Sequence, residues 1–265
     1  MGDRVQGKVA IVFGAGQTPG ETIGNGRATA ILLAREGAAV VAVDRDLRAA
    51  QQTVDLIAGE GGTAMAVQAD ITSEGRVREA IAACMAVHGR VDILHNNVGA
   101  SLALGDATAT ELEVEAFDRL YAVNLRGMWL ACKHALPLMR AQGSGSIVNI
   151  SSMAAWEAYP YVGYKTTKAG VIALTQNIAM ANARHGVRAN VILPGLMNTP
   201  MAIEARVAAG TPREEVIASR DARVPLGGKM GSAWDVAYAS LFLHSDEAKF
   251  ITGVSLPVDG GASVS

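Results

Sequence analysis

Val9-Ala10-Ile11-Val12-Phe13-Gly14-Ala15-Gly16-Gln17-Thr18-Pro19-Gly20-Glu21-Thr22-Ile23-Gly24-Asn25-Gly26 is the stretch that decides the fold. Its first five residues are apolar right through, as expected of a parallel strand covered on both faces. The glycines follow at once, and helix-forming Arg27-Ala28-Thr29-Ala30 comes next. Glycines at a strand-to-helix turn let the backbone approach a pyrophosphate and aim free N–H groups at it. The G-x-G-x-x-G spacing is missed by one, because Pro19 takes the third place and Gly20 follows. An ordinary tight turn is also Gly-rich, so the loop needs a second signal. Asp44 supplies it by ending the next apolar run. A carboxylate there accepts hydrogen bonds from an adenosine ribose and repels a 2′-phosphate; capping the helix that begins near Leu47 is its alternative role. Loop and acid together point to a bound dinucleotide, NAD ahead of NADP. Arg45 or Arg27 would be the partner of a 2′-phosphate if NADP were used.

Outward from this stretch, apolar runs at 9–13, 40–44, 64–68, 93–96, 146–150, 188–193 and 254–258 read as strands. Helical patterns lie between them at 26–36, 47–59, 73–88, 111–140, 161–185 and 233–243. Thr110 with Glu113, and Ser232 with Asp235, place a capping hydroxyl three residues before a carboxylate. Seven strands alternating with six helices predict an α/β fold. It is a single doubly wound Rossmann-type domain over residues 1–265, with a seven-stranded, mostly parallel sheet and helices on both faces. Residues 196–230 break the alternation and carry Thr199-Pro200 and Thr211-Pro212, each a hydroxyl followed by Pro at a first helical position. Two short helices here would overhang the carboxyl edge of the sheet as a substrate lid.

Composition narrows the class. Half of the 265 residues are hydrophobic and 18% are charged, which excludes intrinsic disorder. Lys plus Arg number 23 against 25 Asp plus Glu, with no basic run, so a nucleic acid is not expected as a partner. Cys84 and Cys132 make no metal or redox spacing and read as small core residues in a reduced compartment. The start has no apolar signal core, Gln6 fails the myristoylation pattern, and no apolar stretch approaches a membrane span. A cytoplasmic protein without a membrane partner is expected. The five His residues are scattered, so no metal site is expected.

Two Tyr-x-x-x-Lys pairs overlap, Tyr161 with Lys165 and Tyr164 with Lys168. Spacing of four puts each pair on one helix face. A tyrosine of ordinary pKa is a poor acid or base at neutral pH, but a nearby ammonium favours its phenolate. That pairing suits proton exchange with an alcohol or ketone, which is the part of the chemistry a nicotinamide does not perform.

Over nearly its full length the chain resembles a short-chain dehydrogenase/reductase. The resemblance is carried by the Gly14…Gly24-Asn25-Gly26 loop, Asp70-Ile71, Asn96-Asn97-Val98-Gly99, Asn124, Gly145-Ser146-Ile147-Val148-Asn149-Ile150-Ser151-Ser152, Tyr164-Lys165-Thr166-Thr167-Lys168-Ala169-Gly170, Pro194-Gly195-Leu196-Met197-Asn198-Thr199 and Asp259-Gly260-Gly261. It implies Tyr164 as general acid/base, with Lys168 lowering its pKa and holding the nicotinamide ribose. By the same resemblance Ser152 bonds the substrate oxygen and Asn124 anchors a water in the proton relay. Ser152 lies 12 residues before Tyr164, one fewer than usual in the family, which keeps Ser151 as the alternative. Asp70 and Ile71 match adenine contacts, Asn97 and Gly99 the turn at the adenosine ribose, and Pro194, Met197 and Thr199 the segment facing the carboxamide. A homotetramer, built largely through the helices at 111–140 and 161–185, is also implied.

Three departures from the family pattern stand out. Gly14 to Gly24 spans ten positions where the family's G-x-x-x-G-x-G spans four, so six residues are inserted. Phe13 replaces the usual Thr, and Val98 the usual Ala. We expect residues 17–22 to bulge outward, with Glu21 turned away from the phosphates because like charges in contact are costly. Met153, Trp156, Tyr159 and Tyr161 after the serine, and Met197, Met201 and Ile203 opening the lid, predict an apolar pocket without a basic anchor. The expected activity is hydride transfer between NAD(H) and a small to medium apolar secondary alcohol or its ketone, cyclic ones included. The alternatives are an NADPH-dependent ketone or 3-oxoacyl reductase and, more remotely, a non-catalytic dinucleotide-binding module.

Overall fold

A computed structural model describes residues 2–265. Seven strands form one sheet: β1 (Val9–Phe13), β2 (Ala39–Asp44), β3 (Thr63–Gln68), β4 (Ile93–Asn96), β5 (Gly145–Ile150), β6 (Val187–Pro194) and β7 (Ser255–Val258). Their order is β3-β2-β1-β4-β5-β6-β7, and every pairing is parallel, where a mostly parallel sheet was expected. The helices are α1 (Asn25–Arg35), α2 (Leu47–Gly59), α3 (Glu74–His88), α4 (Val114–Tyr121), α5 (Gly127–Gln142), α6 (Val162–Asn182), α7 (Pro200–Ala208), α8 (Arg213–Asp221) and α9 (Ala233–His244).

Successive side chains of a strand face opposite ways, and both faces are apolar here. Ala10, Val12, Val40, Ala42 and Ile93 pack with Leu33 of α1, Ile57 of α2 and Leu241 of α9. Ile11, Phe13, Val41, Val43 and Leu94 pack with Ile81 of α3, Ala135 of α5 and Ile178 of α6. Cys84 and Cys132 are buried, unbonded thiols in this second layer, matching their reading as core residues.

Three local expectations are corrected. The helix expected from 111 begins at Val114 with Glu113 as its N-cap, and Thr108, not Thr110, meets an acid: its Oγ1 donates 2.8 Å to Glu111 Oε2. α4 and α5 are joined through a π-helical stretch, Ala122–Arg126, so the helical stretch expected over 111–140, with a break left open, carries one register change. Pro212 occupies the N-cap of α8 rather than its first turn, whereas Pro200 opens α7 as expected. The Ser232/Asp235 capping box on α9 is formed.

Candidate active site

The strand order reverses between β1 and β4, and the crevice at their carboxyl ends is where open α/β sheets take ligands. The backbone N–H groups of Gly14 and Ala15 donate to the Val43 carbonyl at 2.8 and 3.1 Å, turning the chain across the sheet end. Asn97 Nδ2 then donates 3.2 Å to the Gly14 carbonyl, tying the end of β4 to the loop. A Cβ on Gly26 would fall on that same carbonyl, so this helix start tolerates no side chain. α1 has Gly24 as its N-cap, with neither a capping side chain nor an acid in its first turn. An uncapped helix N-terminus, with its N–H groups free to donate, fits a dinucleotide's phosphates.

Asp44 Oδ2 accepts the Gly16 N–H at 3.0 Å and Oδ1 the Asp46 N–H at 3.1 Å. Capping of α2 falls to Asp46, which leaves Asp44 outside the helix-cap role. Arg27 is withdrawn as a 2′-phosphate partner. Its guanidinium is buried and spent on Thr53 Oγ1, the Ala49 carbonyl and Gln52 Oε1. Arg45 is exposed beside Asp44. Thr18 to Glu21 of the insertion are exposed, and Gly20 lies against Pro200 and Glu204 of α7. Gln17 braces the base of the insertion by donating to the Thr22 carbonyl and accepting from the Gly24 N–H, while Glu21 Oε1 pairs with Arg213 Nε of α8 at 3.2 Å.

The proton-transfer candidates converge on the first turns of α6. Lys168 is buried, donates 2.8 Å to the Ile150 carbonyl, and holds its ammonium 5.6 Å from the Tyr164 ring centre. Burial pushes the Tyr164 phenol up to about 12, opposed by the hydroxyl of Ser152, and pushes Lys168 down to about 7. Ser151 is buried, with its Oγ donating 2.7 Å to the Lys168 carbonyl, whereas Ser152 Oγ accepts only from the Ala154 N–H. Of the two serines, Ser152 is the one with a hydroxyl proton free for a ligand. Lys165 donates to the Ala154 and Glu157 carbonyls, which makes it a brace for the segment after β5.

Asn124 lies buried in the π-helical stretch. Its Oδ1 accepts the Ala100 N–H at 2.8 Å and its Nδ2 donates to the Ala100 carbonyl and Thr167 Oγ1. The side chain therefore fixes the Gly99-Ala100 backbone. Gly99 passes so near that a Cβ would stand 2.9 Å from Lys168 Nζ.

Asp70 Oδ1 accepts from the Thr72 N–H and hydroxyl, so it shapes a turn and does not cap α3, and Ile71 is buried in the core. Pro194 closes β6 opposite Val258. Met197 is buried, and Thr199 is the N-cap of α7 but makes no side-chain cap bond, leaving its hydroxyl free of the role the sequence suggested. Tyr159 stacks edge-on against Tyr161 and lies 5.8 Å from Tyr164 between ring centres. Trp156 and Met201 are exposed at the rim. Met153 and Ile203 are corrected from pocket to interior: both are buried, Met153 against Met128 and Val171. Arg206 of α7 bonds the Ala202 carbonyl and Arg220 of α8 the Met230 sulfur.

Asp106 is the functional-looking residue that sequence reading passed over. It is buried, and its carboxylate accepts the Gly163 and Tyr164 N–H groups and the Ser101 hydroxyl, each at 2.9 Å. A lone acid in the polar run Gly105-Asp106-Ala107-Thr108 carries no sequence signal for this.

A dinucleotide cradle beside an enclosed Tyr–Lys pair defines an oxidoreductase. A family model described as enoyl-(acyl carrier protein) reductase matches residues 21–263. The chain is 37% identical over 258 residues to 2-(R)-hydroxypropyl-CoM dehydrogenase of Xanthobacter autotrophicus, covering 96% of this chain and 97% of that one. It is 37% identical over 267 residues to 2,5-dichloro-2,5-cyclohexadiene-1,4-diol dehydrogenase of Sphingobium indicum, covering 100% and 99%. A solved structure from Burkholderia xenovorans, described as a short-chain dehydrogenase/reductase, superposes with a TM-score of 0.94 at 42% identity and 99% coverage of both chains. The chain belongs to the short-chain dehydrogenase/reductase family. It is an oxidoreductase of secondary alcohol groups in small molecules and uses a nicotinamide dinucleotide.

Proposed function

We propose that this enzyme interconverts a small to medium, largely apolar secondary alcohol and its ketone with NAD(H), cyclic substrates included, and that Tyr164 is its general acid/base. The observation that carries the reading is the enclosure of Tyr164 between the Ser152 hydroxyl and the Lys168 ammonium. When bound, the nicotinamide supplies the hydride acceptor or donor. Ser152 donates to the substrate oxygen, and Tyr164 takes the hydroxyl proton in oxidation and returns it in reduction. An ammonium beside the phenol favours the phenolate and so works against what burial imposes on Tyr164.

The Gly24–Gly26 turn and the α1 N-terminus would receive the pyrophosphate. Asp44 would take the adenosine ribose, Asn97 and Gly99 its neighbouring wall, and Pro194, Met197 and Thr199 the carboxamide. Asp44 supports NAD because a 2′-phosphate would meet its carboxylate. The exposed Arg45 beside it keeps an NADPH-dependent ketone or 3-oxoacyl reductase as the second reading. Helices α7 and α8, within 196–230, would form the lid over Tyr159 and Tyr161, with Met201 on α7 itself.

Exposed Val114, Phe117, Tyr121 and Trp129 line α4 and α5 and support a homotetramer built on these helices. Two unbonded cysteines support a reduced, cytoplasmic setting. Among the described residues no helix is long and apolar enough to cross a membrane.

The deciding experiment titrates the purified protein with NADH and NADPH and assays Tyr164→Phe on a panel of secondary alcohols. NADH is expected to bind at least about tenfold more tightly, a gap of roughly 1.4 kcal/mol, and Tyr164→Phe to lose turnover while still binding cofactor. Tighter NADPH binding would replace Asp44 by Arg45 as the specificity residue. Undiminished turnover in Tyr164→Phe would remove the acid/base assignment.

A further inference from the structure

The first turn of any α-helix leaves N–H groups without intrahelical partners. In α6 this turn holds Tyr164, yet its N-cap, Tyr161, contributes no side-chain bond. A distant loop performs the capping instead. The Val162 N–H donates 3.0 Å to the Ala107 carbonyl, and the Gly163 and Tyr164 N–H groups donate 2.9 Å to the two oxygens of Asp106. Three consecutive donors at the start of the catalytic helix are thus held by two adjacent residues more than fifty positions upstream.

Asp106 reaches further. Ser101 Oγ donates 2.9 Å to its Oδ2, and the same hydroxyl lies 3.5 Å from the Tyr159 phenol. Tyr159 in turn packs 5.8 Å from Tyr164. One buried carboxylate, with no Lys or Arg bonded to it, therefore touches both the backbone that positions Tyr164 and the chain of hydroxyls leading to the pocket wall. A lone acid can stay buried among N–H and hydroxyl donors at a helix N-terminus, because the donors and the helix dipole favour its charge.

We propose that Asp106 is a positioning residue for the alcohol chemistry: it fixes Tyr164 through the backbone of α6 and orients the Tyr159 wall through Ser101. The assignment rests on the reading of Tyr164 as acid/base. It also predicts an electrostatic side effect. The charges around Tyr164 are the Lys168 ammonium of its own helix, 5.6 Å from the ring centre, and the Asp106 carboxylate from the loop before α4, bonded to the Tyr164 N–H; Tyr159 adds a titratable neighbour from the segment after β5. Lys168 favours the phenolate, whereas Asp106 and a charged Tyr159 oppose it. Removing the Asp106 charge must move the Tyr164 titration to lower pH.

The test compares Asp106→Asn, Ser101→Ala and Tyr164→Phe in the full-length enzyme, reading melting temperature, kcat, both KM values and the pH profile of alcohol oxidation. Asp106→Asn keeps one acceptor oxygen but loses the charge. It is expected to lower kcat by about tenfold or more through misplacement of the acid/base and to shift the acid limb downward by roughly half a pH unit or more. Ser101→Ala leaves the helix cap intact and is expected to raise the alcohol KM several-fold with the cofactor KM and the limb unchanged. An Asp106→Asn enzyme that melts lower but keeps kcat and the position of the limb would make Asp106 a structural cap only and overturn the proposal. If Asp106→Asn does not fold, an unchanged alcohol KM in Ser101→Ala overturns the Tyr159 arm by itself. Full turnover in Tyr164→Phe would instead remove the underlying acid/base reading, an outcome distinct from either.

Discussion

The Lys168 ammonium stands 5.6 Å from the centre of the Tyr164 ring and is anchored by a 2.8 Å hydrogen bond to the Ile150 carbonyl at the end of β5. That anchor leaves Lys168 donors for a ligand hydroxyl while preventing the side chain from swinging away. Lys168→Met removes the charge and keeps the bulk. We expect kcat to fall by roughly 10²–10⁴-fold, the usual worth of a positioned proton-transfer group, with weaker cofactor binding by titration. A kcat within threefold of the parent enzyme would exclude the ammonium from catalysis.

The same pair explains the glycine at 99. Its Cα faces Lys168 Nζ and Asn124 Oδ1, so an added methyl would stand 2.9 Å from the ammonium nitrogen and 3.6 Å from the amide oxygen. The lysine chain is flexible at its end, so Gly99→Ala should fold with little change in melting temperature. We expect about a tenfold loss of kcat from the displaced ammonium, since misplacement on the ångström scale is costly. Equal kcat and equal cofactor affinity in Gly99→Ala would mean that the close approach is incidental.

These two residues also mark what sequence could and could not reveal. The strands were legible as short apolar runs alternating with helical patterns, and β1 and β4, fully buried, were placed residue for residue. Spacing offered two Tyr-x-x-x-Lys pairs, and the resemblance to the family chose Tyr164 with Lys168 and pointed to Gly99. Asp106 was not legible, because its partners at Gly163 and Tyr164 are brought to it by tertiary structure alone. The π-helical register at Asn124 was missed for a related reason: Asn124 is tied by its side chain to Ala100 and Thr167, which local propensity does not encode. Arg27 misled because a basic side chain near a phosphate loop looks available until its three bonds to α2 residues are seen.

The six-residue insertion makes a further prediction. Glu21 from the phosphate loop and Glu204 from α7 both pair with Arg213 of α8, at 3.2 and 2.7 Å. The insertion therefore links the cofactor loop to both helices of the proposed lid. Ion pairs open to solvent contribute little to stability and are screened by salt, and these are only half-buried, so Arg213→Ala should lower the melting temperature by no more than a few degrees. Its effect is expected in binding, with a several-fold higher alcohol KM and a flatter dependence of that KM on ionic strength than the parent enzyme shows. Identical salt profiles for Arg213→Ala and the parent would disconnect the insertion from the lid.

His95 of β4 and His244 of α9 form a buried pair that no step of the chemistry uses, with His244 Nε2 3.4 Å from His95 Nδ1 and His244 Nδ1 3.0 Å from Ser146 Oγ. Burial drives His95 down to about 3, and burial together with the neighbouring charges drives His244 down as well. Both imidazoles are thus neutral in the folded chain, while the unfolded chain protonates them below pH ~6.5. Between those limits the unfolded state binds more protons, so this contribution to stability is complete above pH ~6.5 and drains away as the pH falls toward ~3, at up to about 1.4 kcal/mol per pH unit for each imidazole. Denaturant unfolding at pH 7 and pH 5 measures it. The His95→Gln variant, which leaves a single titrating imidazole at this position, is expected to lose distinctly less stability over that interval than the parent. An equal loss in both proteins would assign the acid sensitivity to carboxylates elsewhere and leave the histidine pair electrically silent.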